Sequence, residues 1–281
     1  MEYRTLRNGV RLPMEGFGTY KSTTGETKDV LKLAIEAGYR YFDTAAFYQN
    51  EEELGEALLS SGLSREEIFL TSKVWKTSLG YETTKESFQK SLTALKTDYL
   101  DLYLIHWPKA APDDADWERK VRETWKAMTE FYHAGRIRAI GVSNFLPHHL
   151  KVLEGEEVQP MVDQIEFHPG YPQLYTMSYC KDHGIQVQTW SPIGRGRMFG
   201  HPVLQELSAK YHKSLAQICL RFAIQMGVSV IPKASSLERM KENQAIFDFE
   251  ISTDDMEKIL GMEQCGWSGE HPDRERVPIG K

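Results

Sequence analysis

Four side chains of this sequence are of types that together can move a proton: Asp43, Tyr48, Lys73 and His106. A tyrosine phenol has an unperturbed pKa near ~10, so it is a poor proton donor at neutral pH unless a nearby cation favours its ionised form. Lys73 is a candidate for that cation, because an ammonium beside a phenol lowers the pKa towards working pH. Proton transfer from a well-placed donor contributes about 10²–10⁴-fold to a rate. The four side chains therefore indicate general acid catalysis.

Asp43, Lys73 and His106 each stand at the end of a strand-like apolar segment, and Tyr48 follows the first of these segments in a loop. In a parallel barrel the carboxyl ends of all strands lie on one face, which carries the chemistry. We therefore predict that the three residues converge there beside Tyr48. Taken singly, Asp43 could cap a turn and Lys73 could be a surface charge, but the four side chains together favour a catalytic site.

Strands and helices are predicted to alternate strictly after an N-terminal β-hairpin at residues 3–14, since Asn8-Gly9 accepts positive φ at both central positions of a tight turn. The predicted strands are residues 16–20, 39–43, 68–73, 100–106, 137–143, 161–166, 185–190 and 228–231. The predicted helices are residues 27–37, 51–60, 82–96, 118–134, 147–154, 174–183, 214–226 and 236–245. An open doubly wound sheet would also alternate, but eight βα units are the number that closes a barrel.

The expected fold is therefore an α/β fold of the (β/α)8, or TIM, barrel type. It carries the N-terminal hairpin, an extra C-terminal helix at residues 253–263 and a tail at 264–281. Barrels of this type often run to about 250 residues as one unit. We expect residues 1–281 to form a single domain.

The segment Gly38-Tyr39-Arg40-Tyr41-Phe42-Asp43-Thr44-Ala45 resembles the aldo-keto reductase superfamily. The resemblance continues with Glu51 and Gly55, with Lys73 after Thr71-Ser72, and with Ile105-His106-Trp107-Pro108, and it extends from about residue 3 to about residue 263. It implies a reductase of aldehydes or ketones with a nicotinamide cofactor. In that reading Tyr48 is the proton donor, Lys73 lowers its pKa, Asp43 holds Lys73, and His106 orients the substrate carbonyl.

The resemblance also implies a binding site for NADPH. Ser143, Asn144 and Gln164 would hold the nicotinamide carboxamide, and Trp190 would stack on its ring; strand-end capping and core packing are the ordinary alternatives. The whole predicted cofactor set is Gly18, Thr19, Asp43, Ser143, Asn144, Gln164, Trp190, Ser191, Ile193, Lys233, Ser235, Ser236, Arg239, Glu242 and Asn243.

Residues 231–243 resemble the family segment that grips the adenosine 2′-phosphate, with Lys233 and Arg239 as its cations. The free N–H groups at a helix start suit a phosphate, although Ser235-Ser236 could simply cap the helix. Ala234 stands where the family usually has a hydroxyl, so one contact is missing. We expect a preference for NADPH, with NADH bound more weakly.

Aromatic side chains dominate the predicted substrate site, which comprises Tyr20, Phe47, Trp75, His106 and Trp107; core packing is the alternative for each aromatic. The loops at residues 107–117 and 191–202 are brief, so we expect an open site that favours small, reactive aldehydes. Apolar pockets discriminate by only about 1–3 kcal/mol per methylene. The tail could still fold over the site and add selectivity.

The formal net charge is −6, and lysines and arginines are scattered, which argues against nucleic acid or an anionic membrane as a partner. Cys180, Cys219 and Cys265 form no CxxC pair, which indicates neither a disulfide framework nor a zinc site. No segment has the pattern of an export signal or the ~20 apolar residues of a membrane span. We expect a cytoplasmic monomer whose partner is a small carbonyl substrate.

Three histidines outside the catalytic set are predicted to be structural. His148-His149 has no acidic or thiol partner at metal spacing, and His168 precedes Pro169 in a loop, so no metal is expected. The rival hypothesis for the whole chain is a cofactor-sensing regulatory subunit, which keeps the barrel and the nucleotide while serving mainly as a partner in a larger assembly.

Overall fold

A computed structural model describes residues 2–21 and 27–279 of the chain. It opens with an antiparallel hairpin of β1 (Tyr3–Thr5) and β2 (Arg11–Pro13). Gly9 has φ +87°, a conformation that costs glycine least, and the backbone of Val10 donates to Asn8 Oδ1 at 3.2 Å. The predicted hairpin is confirmed.

Eight parallel strands follow, each hydrogen-bonded to its neighbours in chain order. They are β3 (Phe17–Gly18), β4 (Tyr41–Asp43), β5 (Phe69–Val74), β6 (Leu100–Ile105), β7 (Ile137–Ser143), β8 (Val162–Glu166), β9 (Gln186–Trp190) and β10 (Ser229–Val230). The helices are α1 (Thr27–Glu36), α2 (Glu51–Ser60), α3 (Tyr81–Leu95), α4 (Trp117–His133), α5 (Pro147–Leu150), α6 (Leu174–Asp182), α7 (Pro202–Tyr211), α8 (Leu215–Gln225), α9 (Leu237–Gln244) and α10 (Thr253–Leu260).

The first and last strands of the sheet meet, so the sheet closes. Gly16 N donates to Val230 O at 2.9 Å, and Val230 N donates to Met14 O at 2.8 Å. A parallel bridge pairs Glu15 with Val230. The (β/α)8 barrel is confirmed, and the open doubly wound alternative is wrong.

Apolar side chains from the strands and from the inner faces of the helices form the core. Every residue of β6 is buried, as expected for a strand covered on both faces. On α4 the buried Val121, Trp125 and Met128 follow the helical spacing of one apolar stripe, and the Trp125 indole donates to Val158 O at 2.8 Å. Within the described ranges, no helix has both the length and the apolar character needed to cross a membrane.

Three features differ from the sequence predictions. Helix α7 was not predicted, although Pro202 starts it and the buried Leu204 and Leu207 lie on one face. β3 and β10 have only two residues each, because the barrel seam is made by single bridges and loop hydrogen bonds. The predicted helix at 147–154 is a single α-turn, α5, followed by a 3-10 turn at Lys151–Leu153.

Candidate active site

A buried ion pair between Asp43 and Lys73 lies at the carboxyl-end face of the barrel. The strands β4 and β5 that carry them are neighbours, and Lys73 Nζ is 2.5 Å from Asp43 Oδ1. Lys73 also donates to Thr44 O at 2.8 Å, and Gln164 Nε2 donates to the second oxygen of Asp43 at 2.8 Å. Both charges are therefore held by several hydrogen bonds.

Burial disfavours both charges of this pair. It raises the pKa of Asp43, against the opposing effect of Lys73 and Gln164, and it lowers the pKa of Lys73, against the opposing effect of Asp43. A buried pair of this kind is strongly destabilised when one partner is removed, because the other is left uncompensated.

Tyr48 lies in the 3-10 turn Ala46–Tyr48 that follows β4, with Lys73 Nζ 5.1 Å from its ring centroid. Burial, and then the Asp43 carboxylate and Tyr20, raise the pKa of Tyr48 well above 10. The predicted lowering of this pKa is thus wrong, because burial, the largest cause, raises it. Tyr48 keeps its proton at neutral pH.

His106 follows β6 directly, and its ring centroid lies 5.6 Å from that of Tyr48. Burial and the nearby Lys73 ammonium lower the pKa of His106 well below 6.5, so the imidazole is neutral. Its Nδ1 is buried and has no hydrogen-bond partner in the described part of the chain. A neutral imidazole beside a protonated phenol can orient a carbonyl oxygen by hydrogen bonding.

Three predicted nicotinamide-binding side chains, Ser143, Asn144 and Trp190, form one hydrogen-bonded group. The Trp190 indole donates to Asn144 Oδ1 at 2.8 Å, and Asn144 Nδ2 donates to Ser143 Oγ at 3.1 Å and to His106 O at 2.9 Å. Ser143 Oγ donates in turn to the backbone oxygen of Gln164 at 2.7 Å. Asn144 adopts the left-handed φ of 63°. The structure therefore brings these three side chains together beside the backbone of His106.

A cleft of about 710 Å³ is lined by the candidate catalytic residues Asp43, Tyr48 and His106 and also by Asn144 and Trp190. The predicted cofactor residues that line it are Gly18, Asp43, Asn144, Gln164, Trp190, Ser191, Ile193 and Lys233. Those that do not line it are Thr19, Ser143, Ser235, Ser236, Arg239, Glu242 and Asn243. A Cβ at Gly18 would lie 2.8 Å from Ile231 O, so only glycine fits that wall without a shift.

Lys233 and Arg239 are exposed, and neither forms an ion pair with any residue that the structure describes. Lys233 lines the cleft, whereas Arg239 does not line it and lies in the first turn of α9. Ser236 Oγ accepts the backbone N–H of Arg239 at 3.4 Å, so this serine caps α9, as its ordinary reading predicted. An aromatic side chain, amide groups and the Lys233 ammonium in one groove fit a phosphorylated dinucleotide.

All five predicted substrate residues, Tyr20, Phe47, Trp75, His106 and Trp107, line the cleft. The rings of Phe47 and Trp75 stack at 3.8 Å between centroids, and the Trp75 ring meets His106 edge-on at 5.0 Å. Aromatic rings thus line this part of the cleft, and their role in substrate binding stays a prediction.

The tail lies along the cleft, which is the alternative that the sequence analysis left open beside the predicted open site. Glu270, His271, Pro272, Arg274, Glu275 and Arg276 line the cleft, as do Lys21, Lys76, Lys109 and Arg195 outside the tail. None of these ten residues was in the predicted site. The tail shows no strand or helix pattern, so its docking had no local sequence signal.

The histidine pair does have an acidic partner, contrary to the sequence prediction. His148 Nε2 and His149 Nε2 lie 3.1 and 3.0 Å from the two carboxylate oxygens of Asp273. However, Leu146 N donates to His149 Nδ1 at 3.1 Å, so the proton of this imidazole is on Nε2 and is donated to Asp273. This tautomer has no free Nε2 lone pair for a metal.

His168 is buried beside Glu166, with Nε2 3.3 Å from Glu166 Oε1. This contact is internal to the barrel wall and agrees with the structural role predicted for the residue.

A model of the Aldo/keto reductase family matches residues 16–263. The chain therefore belongs to this family, and it is an NAD(P)H-dependent oxidoreductase that reduces carbonyl compounds.

Its curated relatives include glyoxal reductase of Bacillus subtilis (strain 168), 47% identical over 270 residues and covering 95% of each chain. Methylglyoxal reductase DkgA of Salmonella typhimurium is 38% identical over 272 residues, 96% of each chain. Among solved structures, an aldo/keto reductase from Brucella melitensis superposes with a TM-score of 0.85 at 39% identity, covering 92% of this chain and 98% of that one. The apo form of Gox0644 gives a TM-score of 0.89 at 35% identity, covering 98% and 99%.

Proposed function

We propose that this protein reduces small aldehydes and ketones, including dicarbonyls of the glyoxal type, with NADPH as the hydride donor and Tyr48 as the general acid. The observation that carries the proposal is the pair of rings, Tyr48 and His106, whose centroids lie 5.6 Å apart at one end of the cleft. The names of the relatives, glyoxal and methylglyoxal reductase, support the substrate class.

NADPH, when bound, supplies the hydride. Trp190, Asn144 and Gln164 bind and orient the nicotinamide end of the cofactor, because they line the cleft next to His106. His106 donates a hydrogen bond that orients the substrate carbonyl.

Tyr48 donates its proton to the carbonyl oxygen. The phenolate that remains lies near the Lys73 ammonium, which stabilises the new negative charge more than it stabilised the neutral phenol. Asp43 keeps Lys73 charged and fixed in place.

The preference for NADPH rests on Lys233 and Arg239. Both are exposed and without an ionic partner in the part of the chain that the structure describes, so a 2′-phosphate would compensate them. Ala234 is buried and offers no hydroxyl, so the discrimination between NADPH and NADH depends on Lys233 and Arg239.

The test is consumption of NADPH across a panel of carbonyl compounds, with NADH measured in parallel. We expect turnover with glyoxal and methylglyoxal, and a lower kcat/KM with NADH. Negligible turnover across the panel, together with a stable hetero-complex, would instead support the regulatory-subunit hypothesis.

A further inference from the structure

Beyond α10 the chain crosses the carboxyl-end face of the barrel and forms a closed loop, residues 269–277, here called the tail loop. Val277 N donates to Gly269 O at 2.9 Å, and Arg276 pairs with Glu270 at 3.0 Å, so the loop is closed at its base. These contacts lie within the loop itself. Its base therefore does not depend on what holds its tip.

The base is attached to β8 through a buried carboxylate. Ser268 donates to Glu166 from its backbone N–H at 2.8 Å and from its hydroxyl at 2.7 Å. Glu166 and Ser268 are both almost completely buried. This attachment fixes where the tail loop starts and leaves its tip to be fixed by other contacts.

Asp273, at the tip, meets three side chains from two other segments. Lys109 Nζ, in the loop after β6, lies 3.0 Å from Asp273 Oδ1, and His149 Nε2 donates to the same oxygen at 3.0 Å. His148 Nε2 lies 3.1 Å from the other oxygen. Partial burial disfavours the carboxylate, but Lys109 and the histidines hold the pKa of Asp273 below its usual range.

Two of the groups that hold Asp273, His149 and Lys109, make further contacts of their own. The His149 side chain is fully buried, the Trp117 ring meets it edge-on at 5.0 Å, and its Nδ1 accepts the backbone N–H of Leu146 at 3.1 Å. Lys109 also donates to Pro112 O at 3.2 Å. The neutral His149 imidazole thus holds Asp273 by a hydrogen bond, and the Lys109–Asp273 pair is only partly exposed, so water screens it less than an exposed pair, which is typically worth less than about 1 kcal/mol. These contacts hold the tip against the rest of the protein.

Asp273 does not line the cleft, whereas its neighbours His271, Pro272 and Arg274 do. We propose that Asp273 is a positioning residue for substrate selectivity: by holding the tip of the tail loop, it keeps His271 and Pro272 in place as a wall that excludes bulky carbonyl compounds. The proposal rests on the proposed carbonyl reductase function. It assigns the selectivity to a residue that touches neither substrate nor cofactor.

The direct test compares methylglyoxal with phenylglyoxal, which share the dicarbonyl group and differ in bulk. Asp273→Ala should raise the ratio of kcat/KM for phenylglyoxal to that for methylglyoxal by about tenfold, mainly through KM, because a loosened wall admits the ring. Asp273→Asn, which keeps an acceptor for Lys109, should change the ratio less. The matched control is Asp248→Ala, which removes an Asp paired with Lys213 at 2.7 Å and outside the cleft lining.

A second readout does not need enzyme activity. Trypsin cleaves after Arg274 and Arg276, and Asp273→Ala should speed this cleavage in the protein without substrate, while Asp248→Ala should not. If the unmodified protein reduces no carbonyl compound, the proposed function fails, and the cleavage rates still test how the tip is held. If the selectivity ratio of Asp273→Ala equals that of the unmodified protein, the proposal is overturned, whether or not cleavage is faster. A variant that loses kcat/KM equally for both substrates, with a lower Tm, would also overturn it.

Discussion

Trp190 donates its indole N–H to the side-chain oxygen of Asn144, and the same Asn144 donates to the backbone oxygen of His106. One amide thus joins the predicted ring-stacking residue to the residue that orients the carbonyl. We predict that Asn144→Gly weakens NADPH binding by roughly 1–3 kcal/mol, because its side-chain hydrogen bonds with Trp190, His106 and Ser143 are lost. Asn144→Ala should bind as weakly and also lower the stability by a further ~1 kcal/mol, since alanine disfavours φ 63°. Fluorescence titration and urea unfolding measure the two effects; equal stability of both variants would contradict the strain argument.

Tyr48→Phe removes the proposed proton donor and leaves the aromatic ring. We expect kcat to fall by about 10²–10⁴-fold with little change in the affinity for NADPH. Tyr20→Phe is the matched control, because Tyr20 also lines the cleft, with its ring 5.0 Å from that of Tyr48. Steady-state kinetics with methylglyoxal measure the effect. Wild-type turnover in Tyr48→Phe would show that another group is the acid.

Arg239→Ala should weaken NADPH binding by about 1–3 kcal/mol, the range for hydrogen bonds to charged groups, and leave NADH binding nearly unchanged. Lys241→Ala, on the same helix and also exposed, controls for the loss of positive charge at α9. The dissociation constants of NADPH and NADH, measured for both variants and for the unmodified protein, test this prediction. The interpretation of residues 231–243 is wrong if the two cofactors bind the unmodified protein equally well.

Lys73→Met should destabilise the protein by about 3–5 kcal/mol, because it leaves the buried Asp43 without its counter-charge. The double variant Asp43→Leu with Lys73→Met should recover part of that loss, since it removes both buried charges. Arg122→Met, which breaks a pair with Glu156 at 3.4 Å near the surface, should cost far less. Urea unfolding gives the three free energies, and similar values for both single variants would refute the argument from burial.

Glu15 lies at the seam where the barrel closes, and its titration makes the free energy of unfolding depend on pH. Burial raises its pKa from 4.5 to about 8, despite a hydrogen bond with Tyr39. Between these values the folded protein keeps a proton that the unfolded chain has lost, so stability falls as pH rises through this window. We expect Glu15→Gln to raise Tm above pH 7 and to change it little near pH 4.5. The exposed Glu257→Gln is the control, and a Tm difference independent of pH would count against a buried, protonated Glu15.

The positions of the proposed catalytic residues in the fold could be predicted because each residue carries a local signal. Asp43, Lys73 and His106 stand at strand ends, and the barrel rule brings such positions to one face. The direction of the Tyr48 pKa could not be predicted, since it depends on burial and on the position of Asp43 relative to Lys73. The docking of residues 270–276 depends on side chains more than a hundred positions away, such as Lys109 and His149. The spacing of apolar and polar residues along the chain does not reveal such contacts.

The hydrogen bonds that Val230 makes with Gly16 and Met14 also have a consequence for synthesis of the chain. Ribosomes add about 5–20 residues per second, so Val230 is made roughly ten to forty seconds after Gly16. Until then this edge of the sheet has no strand to pair with. During that time an unpaired strand edge is open to association with other nascent chains. The short length of β3, two residues, keeps that exposed edge small.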